Sequence, residues 1–174
     1  MREVKIHRLQ ESDAESLFHF EVANRIYFNK MVPDRGEDYY KFETFNDKLV
    51  QLVTEQSLGL STFYLIKDEN GTILGRINLV DSNPSNNSVE LGYRIGEDNT
   101  GNGIATKALK ILLEKTTNLE VIQCIIARTT QDNVASQKVL AKNGFIYAYT
   151  DQDEVLLNGK FVSLLHYIWK REAR

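Results

Sequence analysis

The chain has 174 residues, 42% hydrophobic and 26% charged, which is enough apolar content for one domain (residues 1–174) with its own core. A net charge of −3 with no basic run argues against a nucleic-acid partner and is compatible with a cationic substrate such as an amine. One cysteine, Cys124, excludes an internal disulfide framework, and the lack of an apolar leader or of a run of roughly 18 apolar residues predicts a soluble, cytoplasmic protein without a membrane partner.

Residues 4–9 read as a short strand, with His7 at the surface. Ser12 and Glu15 have the spacing of a capping box and open a helix over 14–24, whose apolar members are Ala14, Leu17, Phe18 and Val22. An aromatic and polar segment, 24–29, leads to the break at Pro33. A second helix over 39–56 carries Tyr40, Phe42, Phe45, Leu49, Leu52 and Val53. Residues 62–67 are a strand by their β-branched and aromatic content, Asn70-Gly71 suits a tight hairpin turn, and 72–80 is the returning strand. An Asn/Ser/Pro loop over 81–88 precedes a strand at 89–95. The near-continuous apolar run 121–128 predicts a buried central strand, in which Cys124 is an inert thiol. Asp132 or Asn133 caps a helix through Lys142 that Asn143-Gly144 stops, and 145–149 and 161–169 are closing strands joined by a polar turn around Asn158-Gly159. The order βααβββαβαββ predicts an α/β (α+β) fold: a mixed central sheet of about seven strands with helices on both faces.

The most informative stretch is 90–115. A strand passes through a polar turn into Gly101-Asn102-Gly103, and a helix follows with Ile104, Ala105, Ala108, Leu109 and Leu112 on one face. Glycines at a helix start let a ligand approach the backbone, where first-turn N–H groups lack intrahelical partners and the dipole is positive. Two readings stand: a structural turn, or a phosphate or pyrophosphate site. Neither better-known phosphate loop fits. Gly103 is followed by Ile104-Ala105 rather than Lys-Ser/Thr, and Thr106 occupies the position of the third dinucleotide glycine. His166 and His19 group neither with each other nor with Cys124, so no metal site is expected.

These residues, with two further pieces, resemble the GCN5-related N-acetyltransferase (GNAT) family, most closely its RimJ/RimL-like branch, which acetylates N-terminal amines of ribosomal proteins. The first piece is Glu90-Leu91-Gly92-Tyr93-Arg94-Ile95 running into Gly101-Asn102-Gly103-Ile104-Ala105-Thr106. The second is Asn133-Val134-Ala135-Ser136 followed by Asn143-Gly144-Phe145, and the third is Phe20, Asn24-Arg25 and Phe28. The resemblance implies a GNAT-like sheet and acetyl-CoA as co-substrate. It places the pyrophosphate on Gly101, Asn102, Gly103, Ile104, Ala105 and Thr106, and the pantetheine arm along Tyr93, Arg94 and Ile95. Asn133 would bond the CoA arm, Ser136 would protonate the departing thiolate, and Glu90 would take the amine's proton in a direct transfer without an acyl-enzyme.

The bland readings stay open beside these: Asn133 as a helix cap, Ser136 as a first-turn residue, Glu90 in a surface ion pair. The chain also departs from the family pattern. Asp98 stands where Gln or Arg opens the glycine motif, and Val139, Leu140 and Ala141 stand where many members carry a tyrosine acid. Val155 replaces a branch glutamate, with Glu154 one residue off. The acceptor is expected to be a protein N-terminus, a polyamine or another small amine, selected by segments 24–38 and 151–160. The rival readings are a non-catalytic CoA-binding regulatory module and a nucleotide-binding protein. The branch also suggests a weak homodimer through the edge strand.

Overall fold

Among the described residues, runs rich in Val, Ile, Tyr and Phe lay down nine strands. They are β1 (Lys5–Arg8), β2 (Thr62–Lys67), β3 (Ile73–Asn83), β4 (Ser88–Ile95), β5 (Cys124–Thr130), β6 (Ile146–Thr150), β7 (Val155–Leu157), β8 (Lys160–Val162) and β9 (Leu164–Lys170). In this computed structural model, which describes residues 3–117 and 121–171, seven of them form one sheet in the order β1-β2-β3-β4-β5-β9-β6. Every neighbouring pair is antiparallel except β4 and β5, which run parallel, so the sheet is mixed as expected. The other two, β7 and β8, make a separate hairpin.

Among the described residues, four α-helices, α1 (Ala14–Phe28), α2 (Phe42–Ser57), α3 (Ile104–Thr117) and α4 (Val134–Lys142), cover the sheet on both faces. On one face Leu109, Leu112 and Leu140 from α3 and α4 pack on Leu74, Ile77, Leu91 and Ile125. On the other, Leu17, Phe45 and Leu49 from α1 and α2 pack on Phe63 and Leu65. Strand alternation then sorts β4. Leu91, Tyr93 and Ile95 point to the α3 face, whereas Glu90, Gly92 and Arg94 point to the α1 face. This sorting decides which groups can meet a ligand from which side.

Several boundaries differ from the sequence expectation. Helix α1 runs on to Phe28, because nothing in 24–28 breaks it. After Ala14 and Leu17 its next buried position is Glu21 (0% exposed), while Val22 is 44% exposed. The cap lies earlier than Ser12: the Gln10 N–H donates to Asp13 Oδ2, opening a 3-10 turn at Glu11–Asp13 before α1. A second 3-10 turn, Glu37–Tyr40, and an extended Lys41 precede α2, which therefore starts at Phe42. Strand β5 starts at Cys124, since Val121 is 70% exposed, and Cys124 itself is only partly buried. The turn at Asn158-Gly159 belongs to the β7–β8 hairpin. Phe161 therefore sits in β8, and the last sheet strand begins at Leu164.

Candidate functional site

The parallel register of β4 and β5 runs from Ser88↔Cys124 to Leu91↔Ala127 and ends there. Beyond it β4 stays paired to β3 (Gly92↔Asn78, Tyr93↔Ile77, Arg94↔Arg76, Ile95↔Gly75), and β5 stays paired to β9. A wedge-shaped gap therefore opens in mid-sheet between residues 92–95 and 128–130. Strand backbone along such a gap offers N–H and C=O groups to an added extended chain. Gly92 lies exposed at its apex, and a Cβ there would meet no heavy atom within 4 Å.

The glycine turn follows directly. Gly101 and Gly103 have φ of 75° and 73°, a left-handed conformation that side-chain-bearing residues rarely adopt. Residues 101–103 are exposed, and a Cβ on either glycine would enter open space. Ile104 is buried against the core, while Ala105 and Thr106 continue the first turn of α3 half-buried. The expected cradle thus has the shape a phosphate requires: open backbone at the positive end of a helix. Asp98 sits exposed in the 3-10 turn Glu97–Asn99. That turn is tied to α1, because Asn24 Oδ1 accepts from the Glu97 N–H at 2.8 Å.

On the α3 face, the Tyr93 hydroxyl lies 2.9 Å from Ser136 Oγ. Burial pushes the Tyr93 phenol up to about 12, with the Ser136 hydrogen bond pulling the other way, so it is a neutral donor at ordinary pH. Asn133 does cap α4: its Oδ1 accepts from the Ser136 N–H at 3.1 Å. The cap fixes the turn that carries Ser136 and leaves Asn133's amide nitrogen free of that duty. Gln137, one turn on from Asn133, donates to the carbonyls of Thr130 and Gln131 and anchors α4 to the end of β5. The Tyr93–Ser136 contact spans 43 residues. The sequence places Tyr93 on the strand at 89–95, as a packing residue rather than an acid, and gives no sign of its contact with Ser136.

On the α1 face, Glu90 accepts from Arg128 Nη2 at 2.6 Å. Arg128 stands opposite His166 in the β5–β9 register, and His166 stacks on Tyr149 at 4.2 Å and lies 2.9 Å from Asp151. Glu90, Arg128, His166 and Tyr149 thus form a polar row across four strands. Arg94, expected to line the cofactor arm, contributes only its backbone to the gap. Its guanidinium turns to Glu21 at 3.3 Å and lies 4.9 Å from the Phe28 ring centroid. Ile95 likewise packs into the core with its side chain.

Where the two loops expected to govern specificity meet, a cleft of about 630 Å³ opens. Ile26, Asn29, Lys30 and Met31 line one side, and Leu157, Asn158 and Val162 of the hairpin line the other, with Asn133 between them. The Asn158 side-chain amide donates to the Asn29 carbonyl, closing one end. Arg25 orders the first loop by gripping Asp34 at 2.8 Å and Glu37 at 2.7 Å while its guanidinium lies 4.1 Å from the Tyr40 ring centroid. Glu154 stands exposed just before β7.

A family model described as an acetyltransferase (GNAT) domain matches residues 3–146. Among curated relatives, an uncharacterized N-acetyltransferase of Bacillus subtilis, YjdG, is 27% identical over 111 residues, covering 64% of this chain and 60% of the relative. The ribosomal-protein-serine acetyltransferase of Escherichia coli is 23% identical over 145 residues, covering 82% and 79%. Among solved structures, the ribosomal-protein-S5-alanine acetyltransferase of Vibrio fischeri superposes with a TM-score of 0.90 at 20% identity, covering 98% of this chain and 94% of that one. RimL, a ribosomal L7/L12 alpha-N-protein acetyltransferase in complex with coenzyme A, gives 0.88 at 20% identity, covering 96% and 93%.

Proposed function

This chain belongs to the GNAT acetyltransferase family, and from that premise we propose that it moves an acetyl group from acetyl-CoA directly to a primary amine, the N-terminal amine of a ribosomal protein being the leading acceptor. The observation that carries this reading is the sidedness of β4. Across the gap beside one strand, Glu90 faces the α1 side while the Tyr93–Ser136 hydroxyl pair faces the α3 side. A base and an acid on opposite faces of one slot are what acyl transfer needs, because the amine enters from one side as the leaving group departs from the other.

Acetyl-CoA supplies the activated acetyl thioester. The chain's part is to hold and orient it: Gly101, Asn102, Gly103, Ile104, Ala105 and Thr106 offer backbone N–H groups to the pyrophosphate, and Asn133 offers its amide to the arm. The unpaired edge over Tyr93, Arg94 and Ile95 takes the pantetheine amides, and N–H groups there face the oxygen on which negative charge develops. Glu90 Oε2 is held by Arg128, and among the described residues Oε1 takes no bond, so it can accept the amine's proton directly or through water. As the N–C bond forms and the C–S bond breaks, the sulfur takes a proton from Ser136, which Tyr93 can replenish. Specificity falls to the cleft between residues 24–38 and the β7–β8 hairpin.

The test is a melting-temperature titration with acetyl-CoA, ATP and NAD on wild type and Gly103→Val, followed by acetylation assays with Ser- and Ala-initiated peptides and with spermidine. A ligand at 100 times its Kd adds roughly 2.7 kcal/mol to the folded state. Stabilisation by acetyl-CoA alone, lost in Gly103→Val, with peptide turnover lost in Glu90→Gln, is the expected result. A shift with ATP or NAD in place of acetyl-CoA overturns the reading. Acetyl-CoA binding without turnover of any amine leaves the domain a binding module.

A further inference from the structure

A second cleft, of about 490 Å³, opens on the α1 face between α1, α2 and the 3-10 turn that precedes α2. Leu17, Phe45, Leu49 and Leu52 give it an apolar wall, and Arg35, Lys48 and Arg76 give it a cationic one. Tyr39, only 4% exposed, stands at the centre. The Arg35 guanidinium lies 4.8 Å from its ring centroid and donates to its hydroxyl at 2.9 Å, and Lys48 Nζ lies 5.3 Å from the same ring. Three cations therefore gather at one tyrosine, and no carboxylate is among the lining residues.

The neighbouring acids are already engaged. Glu21 is shared by Arg76 and Arg94 and reaches Arg35 at longer range, Asp34 and Glu37 are held by Arg25, and Asp38 is bridged to Lys41 while reaching Lys48 at longer range. For Arg76 burial is outweighed by Glu21 and Tyr39, which hold its pKa up; the crowding registers on Arg94, beside the cleft. Burial lowers its pKa against the pull of Glu21, and Arg35 and Arg76 push in the same direction as burial. Like charges collected beside low-dielectric protein raise the free energy until a counter-charge arrives. Guanidinium groups match carboxylate and phosphate oxygens in shape as well as sign.

We propose that this cleft binds a small organic anion, its carboxylate or phosphate head on Arg35, Lys48 and Arg76 and its apolar body against Leu17, Phe45, Leu49 and Leu52. The volume lies within the roughly 300–1,000 Å³ of small-molecule sites. The cleft is lined by none of the residues that line the specificity cleft or the glycine turn. The proposal stands independently of the transfer reading, because its test reads binding.

The experiment is isothermal titration with phenylbutyrate and with its neutral amide, on wild type, Arg35→Gln and Lys48→Gln. Both variants alter exposed side chains, and a thermal melt checks that each is folded. Arg76 is left intact, since losing it would strip buried Glu21 of a partner. The acid should bind at least tenfold more tightly than the amide, and each variant should weaken the acid roughly tenfold while leaving the amide unchanged. Equal binding of acid and amide, wild-type affinity in both variants, or no binding at millimolar phenylbutyrate would each overturn the proposal.

Discussion

Glu21→Gln tests the charge arrangement beneath the α1 face. The carboxylate is 0% exposed and accepts from Arg76 at 2.7 Å and Arg94 at 3.3 Å, and Arg76 is itself only 4% exposed. Glutamine keeps the shape and one acceptor oxygen, but two guanidiniums lose their shared counter-charge and one now faces an amide N–H. Removing one partner of a buried pair costs about 3–5 kcal/mol, and the surviving acceptor together with the partial exposure of Arg94 argues for about 3. The pH dependence has a definite sign. Burial pushes the Glu21 carboxyl up, but the guanidiniums of Arg76 and Arg94 outweigh it and hold the group below its ordinary value of 4.5. A depressed folded pKa stabilises above the unfolded pKa, and that stabilisation is lost as pH falls through the folded one. The gap between wild type and variant should therefore be full near neutral pH and narrow in acid, below the ordinary value. Urea melts compared at constant m measure it directly. A loss under about 1 kcal/mol at neutral pH, or a gap that persists unchanged in acid, would refute the reasoning.

Tyr93→Phe and Ser136→Ala should each lower kcat by roughly 100-fold with little change in KM for acetyl-CoA, and the double variant should be little worse than either, as for two groups passing one proton. Because the folded pKa of Tyr93 is raised to about 12, its contribution to stability is complete below the unfolded value of 10 and declines as pH climbs toward 12. Alkaline melts of wild type should show this decline, and Tyr93→Phe should show a smaller one, because burial also raises the phenols of Tyr40 and Tyr64. Gly92→Ala should change stability by less than about 1 kcal/mol, since its Cβ meets nothing within 4 Å. The methyl would nevertheless stand at the apex of the gap, so kcat/KM should fall well beyond what the melt predicts; unchanged kinetics would remove the reacting groups from that apex.

What the sequence disclosed depended on how local the cause was. The strand, glycine turn and helix over 90–112 were legible because alternation, positive-φ glycines and a helical apolar stripe all act within a few residues. The burial of Glu21 was not, because its partners arrive from Arg76 and Arg94, 55 and 73 residues away, and a helix face read alone assigns its buried position to Val22. The Tyr93–Ser136 contact was hidden for the same reason. The β7–β8 hairpin escaped because three-residue strands with mostly exposed side chains leave no periodic trace beyond the Asn158-Gly159 turn. The roles of Glu90, Ser136 and Asn133 came from a family likeness, and the structure adds their sidedness and their bonding.

The early end of the β4–β5 register also has a mechanical meaning. Among the described residues, four strand pairs, preceded by the Gln123 and Cys124 N–H groups donating to the Asn87 carbonyl, join the β1–β4 half of the sheet to the β5, β9 and β6 half. Beyond those pairs the seam is held by side-chain packing rather than by strand hydrogen bonds, and local opening favours regions with few such bonds. An extended amide chain lying in the gap would supply the missing rungs. A ligand placed there would work as a suture, adding strand bonds across the seam so that the two half-sheets resist opening as a unit.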